Sequence, residues 1–207
     1  MGKIPLPAPA AVHVAELDSV GYTVVRDVLP PATLTELETA VRQLLAVEGE
    51  AAGVEFRQEQ GVGRLAALVG KHAAFERLVA DPALLCFPAH LLGADRFKLS
   101  SLNARVVPPA VVGDTDSMSG AQPLHADMMG IEDDQGAWLC NIIIPLAPYN
   151  DEMGPLRVVP RSAAMRKLPA EAVEDPSAPH PQEVIHPFNT SIVTPELQWQ
   201  SRGTLPI

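Results

Sequence analysis

The 207-residue chain is short of cysteine, of aromatic residues and of positive charge. Its two cysteines, Cys86 and Cys140, are too few for a disulfide scaffold and indicate thiols in a reducing compartment. Lys and Arg number 15 against 25 Asp and Glu, and the net charge of -10 argues against a nucleic-acid-binding protein. No apolar run approaches the ~20 residues of a membrane helix, and no signal peptide is visible. We therefore expect a cytoplasmic protein without membrane contact.

Proline, in contrast, is abundant, with 21 Pro against 14 Gly. This is about twice the average usage, which disfavours a helical bundle and predicts many loops and strand ends. The length and the 47% apolar content are typical of one domain with a sizeable core. Helical patterns precede strand patterns, so we expect a helical N-terminal layer over residues 1–95 and a β-core over residues 96–207.

The local patterns place these elements along the chain. A short β-branched run predicts a strand over 22–25, and the Pro-Pro step after it predicts a helix opening at Thr33. Apolar residues then recur at helical spacing, at Leu34, Leu37, Val41, Leu44 and Leu45. Two further short helices are predicted over 71–80 and 83–92. The predicted strands are 97–107, 138–146 and 155–159, with two weaker ones over 183–186 and 191–194.

The sharpest local motif is Gln122-Pro123-Leu124-His125-Ala126-Asp127. In a strand, His125 and Asp127 lie on the same face because side chains alternate with period two. An imidazole and a carboxylate so placed supply two of the three ligands of the facial triad that binds non-haem Fe(II). The alternative interpretation is a surface histidine and aspartate at the end of a strand.

Three further segments occur in order around this motif. They are Gly21-Tyr22-Thr23-Val24-Val25, an apolar run from Trp138 that ends in Pro145-Leu146, and Gly154-Pro155-Leu156-Arg157-Val158-Val159-Pro160. Together they resemble the phytanoyl-CoA dioxygenase family of Fe(II)/2-oxoglutarate oxygenases, over roughly residues 17 to 162. The resemblance implies a double-stranded β-helix, a jelly-roll variant, with helices packed outside.

The resemblance also implies residue roles. His125 and Asp127 match the first two iron ligands, and Gln122, Trp138 and Asn103 match positions near the 2-oxoglutarate co-substrate. For Trp138 core packing is the alternative role, and for Asn103 it is a plain position on the face of a strand. The implied reaction is oxidative decarboxylation of 2-oxoglutarate coupled to hydroxylation or desaturation of a small organic molecule. In halogenating relatives the position of Asp127 is small, so a carboxylate here predicts no halogenation.

The third iron ligand has more than one candidate, because the resemblance fades after Ser162. His186, 61 residues after His125, is the first candidate, and Arg202 is then the arginine that binds the 2-oxoglutarate carboxylate. Arg202 follows His186 by sixteen residues, which is a long gap for the family, whose arginine follows its histidine by about ten. His180 is a second candidate. A truncated or diverged C-terminus, with an incomplete triad, is the third interpretation.

Two functions follow from these alternatives. The first is an oxygenase of secondary metabolism acting on a small molecule, which the apolar composition suggests is lipid-like or polyketide-like. The acidic charge argues against an acyl-CoA, whose phosphates favour a basic patch. The second is a degenerate jelly-roll protein that binds metal or ligand without turnover. A jelly roll lacking its last strands would expose sheet edges, through which a homodimer could form.

Overall fold

The computed structural model describes residues 6–55, 62–106, 139–146, 156–161, 184–185 and 193–201, of which Arg157 and the last two ranges are described by backbone alone. The helices are α1 (Ala11–Val20), α2 (Pro31–Glu48), α3 (Ala73–Val79) and α4 (Pro82–Leu92), with a short 3-10 helix at Gly49–Ala51. The strands are β1 (Gly63–Leu65), β2 (Phe97–Val106), β3 (Leu139–Ile143), β4 (Arg157–Val158), β5 (Val184–Ile185) and β6 (Val193–Ser201).

The starts of the helices follow from their first residues. α2 begins at Pro31, two residues before the predicted Thr33. Proline suits the first position of a helix because it has no backbone N–H, and an N–H at that position would have no partner within the helix. At α3, His72 Nδ1 accepts a hydrogen bond from the Ala74 N–H, and at α4, Asp81 Oδ1 accepts one from the Ala83 N–H. The predicted helices over 71–80 and 83–92 are thus confirmed.

The predicted strand over 22–25 is wrong, because these residues pair with no strand. Its Thr23 hydroxyl instead donates to the Glu16 carboxylate and lies 2.8 Å from His13 Nδ1, so both bonds run to α1. The His13 ring in turn stands edge-on to Phe87 of α4, with ring centroids 6.2 Å apart. Local β propensity here gives way to side-chain contacts that tie α1 to α4.

The main sheet has four antiparallel strands in the order β1-β2-β6-β3, and β4 and β5 form a separate two-stranded ladder. The sequence patterns predict β2 and β3 closely, but only a weak strand over 191–194 where β6 runs from Val193 to Ser201. β6 lies between β2 and β3. The C-terminal segment, where the motif resemblance has faded, therefore forms the centre of the sheet.

An irregularity in β2 decides which residues lie on each face. The β2–β6 register shifts between Leu99 and Ser101, so one extra residue is inserted there. Such a bulge exchanges the faces of the residues that follow it. Beyond the bulge, Leu102 and Ala104 are 1% and 3% exposed and face the helices. On β3 the alternation places Cys140 on the same buried side.

The helices cover this apolar side of the sheet and form one core with it. The largest fully buried side chains come from α2, α3, α4, the β1 region and β2, namely Leu37, Val41, Phe75, Pro88, Leu65, Leu68 and Leu102. β1 joins the sheet from within the part predicted to be a helical layer, residues 1–95. The division at residue 95 stays a prediction. None of the helices in the described ranges has the length and hydropathy needed to cross a bilayer.

Gly53 should be the least replaceable glycine of the described chain. Its φ is +67°, and an added Cβ would lie 2.6 Å from Arg64 Cβ, whereas Gly49, with φ of +53°, has nothing within 4 Å. We expect Gly53→Ala to lower the free energy of unfolding by about 2–4 kcal/mol, since a steric clash adds to backbone strain, and Gly49→Ala by about 1–2 kcal/mol, from backbone strain alone. Urea unfolding of both variants measures this, and equal losses would contradict the steric explanation.

Both cysteines are buried free thiols, and burial raises the pKa of each. For Cys140 desolvation, with a smaller contribution from the Cys86 charge, raises the pKa to about 12. The thiols therefore stay protonated at pH 8 and should react slowly with a disulfide reagent, because the thiolate is the nucleophile. Thiol titration should find two rapidly reacting groups in urea and none in the folded protein. A rapid native reaction would contradict this account.

Candidate functional site

The side of the main sheet opposite the helices is polar, and we call it the polar face. It carries Ser101, Asn103 and Arg105 of β2, which are half-buried, and Asn141 and Ile143 of β3, which are exposed. On β6 between them, Gln198 is in register with Ser101 and Asn141, and Glu196 with Asn103 and Ile143. The polar face thus offers hydrogen-bonding side chains on β2 and β3, with β6 in register between them, which makes it a candidate binding surface.

The charged residues of these four strands all occupy register positions on the polar face. They are Arg64, Lys98, Arg105 and the single acid Glu196. Arg64 of β1 lies directly opposite Arg105 of β2. The sheet therefore carries an excess of positive charge within a chain whose net charge is -10, and this face favours an anionic ligand.

Asn103 is the one sequence-predicted site residue within the described ranges. Its Oδ1 accepts a hydrogen bond from the Ala67 N–H at 3.2 Å, and next to it the Leu68 N–H donates to the Leu102 carbonyl at 2.9 Å. Ala67 has a φ of +49°, so the chain after β1 turns sharply here. The carboxamide oxygen of Asn103 therefore holds this turn against β2. Its predicted role beside the co-substrate stays a prediction.

The remaining candidates lie outside the described residues: Gln122, His125, Asp127, Trp138, His180, His186 and Arg202. Within the described ranges, no three His, Cys, Asp or Glu side chains come together as a metal site requires. The structure does fix the points where the chain enters and leaves the segments that carry the candidates. Ile185 of β5 directly precedes His186, and Ser201 of β6 directly precedes Arg202.

The strand ends that flank these segments lie at both ends of the sheet. Val106 at the end of β2 is in register with Val193, whereas Leu139 at the start of β3 is in register with Gln200. These two rows lie ~23 Å apart along β6, so the connection that contains His125 and Asp127 starts and finishes at opposite ends. Leu139, which follows Trp138, and Ser201, which precedes Arg202, share one end.

The sequence interpretation missed Arg64, Arg105, Ser101 and Asn141 as candidates. For the residues of β2, the sequence signal is the alternation of polar residues with Leu102 and Ala104, which is typical of a strand with one polar side. The bulge hides this signal, because the first half of the strand buries odd-numbered residues and the second half even-numbered ones.

Solved structures with the same overall fold include proteins that bind 2-oxoglutarate or depend on it. HygX from Streptomyces hygroscopicus, with nickel and 2-oxoglutarate bound, is 11% identical with a TM-score of 0.67, covering 93% of this chain and 87% of that chain. The 2-oxoglutarate-dependent carbocyclase SnoK from nogalamycin biosynthesis is 20% identical with a TM-score of 0.62, covering 95% and 80%. The epimerase SnoN from the same biosynthesis is 19% identical with a TM-score of 0.59, covering 94% and 77%.

At such low identities the neighbours establish a shared fold, and no curated protein matches the chain. The family assignment comes from the sequence itself. The model of the phytanoyl-CoA dioxygenase (PhyH) family matches residues 17–199. This match extends past Ser162, where the motif resemblance fades, and into β6, one of the two central strands of the sheet. The chain belongs to the phytanoyl-CoA dioxygenase family.

Proposed function

We propose that the chain is an Fe(II)/2-oxoglutarate-dependent dioxygenase that hydroxylates or desaturates a small organic molecule. The observation that carries this proposal is the family match, which spans the His125–Asp127 motif and continues into β6. The fold shared with 2-oxoglutarate-dependent enzymes supports it. One of these, HygX, has been solved with nickel, 2-oxoglutarate and hygromycin B, and another, SnoN, with iron, 2-oxoglutarate and a nogalamycin compound.

His125, Asp127 and His186 are the proposed iron ligands. Two imidazoles and one carboxylate are the donor set that suits non-haem Fe(II) and leaves positions for co-substrate and dioxygen. The position of His186 next to β5 supports it over His180. β5 pairs with β4, and β4 starts at Arg157 in the Gly-Pro-Leu-Arg-Val segment that carries the family resemblance.

When bound, the iron and 2-oxoglutarate supply the oxidising chemistry, and the protein holds, orients and shields them. Asp127 keeps a carboxylate at the position that is small in halogenating relatives, which supports hydroxylation or desaturation. Gln122, Trp138 and Arg202 remain proposed co-substrate residues on the strength of the family resemblance. The polar face would bind polar groups of co-substrate or substrate, since it presents amides, a hydroxyl and guanidinium groups.

We propose further that the four-stranded sheet and the β4–β5 ladder are parts of a double-stranded β-helix with the helices outside it. The described sheet fits such an arrangement, because its apolar side is covered by helices and its other side is polar. In this arrangement the polar face lines the inside. A homodimer would form through an edge strand of the sheet, β1 or β3.

One observation favours a second function, a degenerate family member that binds metal or ligand without turnover. Ten residues beyond His186, where the family has its co-substrate arginine, this chain has Glu196. A carboxylate at that position would repel the 2-oxoglutarate dianion unless another residue neutralises it. The two functions differ in whether bound 2-oxoglutarate is converted to succinate.

The proposed function is tested by anaerobic titration of the protein with Fe(II) and 2-oxoglutarate. We expect a visible metal-to-ligand charge-transfer band, and succinate after oxygen is admitted. His125→Ala and His186→Ala should each weaken iron binding at least about 10-fold, because each removes one of three protein ligands. His180→Ala is the matched control and should bind iron as the wild type does.

The outcomes separate the two functions. A charge-transfer band without succinate would favour the degenerate protein. If neither band nor succinate appears, the oxygenase proposal fails. If His180→Ala weakens iron binding and His186→Ala leaves it unchanged, the third ligand has been assigned to the wrong histidine.

The role of Asn103 can be separated from co-substrate binding by two substitutions. Asn103→Ala removes the acceptor of the Ala67 N–H and should lower the free energy of unfolding by about 1 kcal/mol. Asn103→Asp keeps an acceptor oxygen and should lose less. Urea unfolding and 2-oxoglutarate titration of both variants provide the two measurements. Unchanged stability with weaker 2-oxoglutarate binding would instead support the predicted co-substrate role.

A further inference from the structure

We propose that Arg105, together with Arg64 on the neighbouring strand, binds the 2-oxoglutarate carboxylate that is remote from the iron, in place of an arginine from the C-terminal segment. This inference rests on the proposed function. It assigns the task to described residues of β2 and β1, where the sequence resemblance offers only Arg202, beyond the end of β6.

The first argument is position. The family arginine is expected about ten residues after the third ligand, and here that residue is Glu196 of β6. Glu196 is in register with Asn103 of β2, and Arg105 lies two residues further along the same face. Two residues of a strand span ~7 Å, which is within reach of a long arginine side chain. The guanidinium of Arg105 can therefore bind a carboxylate near residue 196, where β6 itself carries no cation.

The second argument is charge. Arg64 and Arg105 are directly opposite each other on adjacent antiparallel strands, and like charges in such pairs are destabilising. A carboxylate bound between them would offset this repulsion. Arginine suits the task because its planar fork donates two parallel hydrogen bonds to a carboxylate. Both residues also interact with other groups of the protein, so the proposed role adds to those contacts.

The third argument is shielding from solvent. Arg64 and Arg105 are both half-buried, whereas Lys98, the remaining cation of the polar face, is exposed. The stem of Arg64 is packed closely against Gly53, which leaves no room there even for a Cβ. Charges held in this way are screened less by salt than charges at the surface. The arginine pair is therefore a better carboxylate site than Lys98.

The test measures the Kd of 2-oxoglutarate by calorimetry with Mn(II) in place of iron, so that no turnover is involved. We expect Arg105→Gln to raise the Kd about 10- to 100-fold, as the loss of a charged hydrogen-bond pair does. Arg105→Lys should give a smaller rise, because a lysine keeps the charge without the fork. Lys98→Gln is the matched control and should leave the Kd nearly unchanged, and Arg202→Gln tests the competing assignment that the family resemblance offers.

A second measurement distinguishes binding from a structural role. Urea unfolding without 2-oxoglutarate identifies the conditions in which Arg105→Gln is folded, and the Kd is compared with that of the wild type under those conditions. A purely structural arginine would leave the Kd of the folded variant unchanged. The inference is also overturned if Arg202→Gln raises the Kd instead, or if neither substitution does. If the wild type itself does not bind 2-oxoglutarate, the proposed function fails and this inference fails with it.

Discussion

The structure depends on the insertion of β6 between β2 and β3. These two strands make no ladder with each other, and each finds its partner in residues 193–201. Because backbone groups in a sheet need such partners, β6 joins the long strand that follows the helices to the strand that follows the His125–Asp127 segment. A substitution that dislodges β6 would therefore separate the two parts of the chain on which the proposed site depends.

The same arrangement gives the sheet two unlike sides. Leu102, Ala104 and Cys140 meet the helices on one side, and amides, a hydroxyl and the charged residues occupy the other. The bulge between Leu99 and Ser101 produces this separation, since without it the second half of β2 would turn its polar residues into the core. The net charge of the whole chain therefore does not describe this face, because an acidic protein can present a locally cationic surface.

Helices α2, α3 and α4 and strands β2 and β3 could be predicted from the sequence because their signals are local, whereas α1 was not predicted. Pro31 and Asp81 at helix starts and the β-branched and apolar residues of β2 and β3 act over a few residues. The strand expected over 22–25 failed because Thr23 bonds to His13 and Glu16 of α1. The full length of β6 could not be predicted, since a proline within a run argues against a strand; Pro195 lies beyond the β3 ladder and is in register with Ala104 of β2 alone. Asn103 was picked from the sequence, but its bond to Ala67, 36 residues away, was not foreseeable.

The sequence alone determined the family resemblance, the His125–Asp127 pair and the order of helices before strands, because motifs and local periodicity are written in consecutive residues. It left the third ligand and the co-substrate arginine open, since these depend on which distant segments meet. Only the tertiary structure decided that β6 is central and that Arg64 lies opposite Arg105 on a polar face. The physical reason is that strand pairing joins residues that are far apart in the chain, and register then fixes which side chains share a surface.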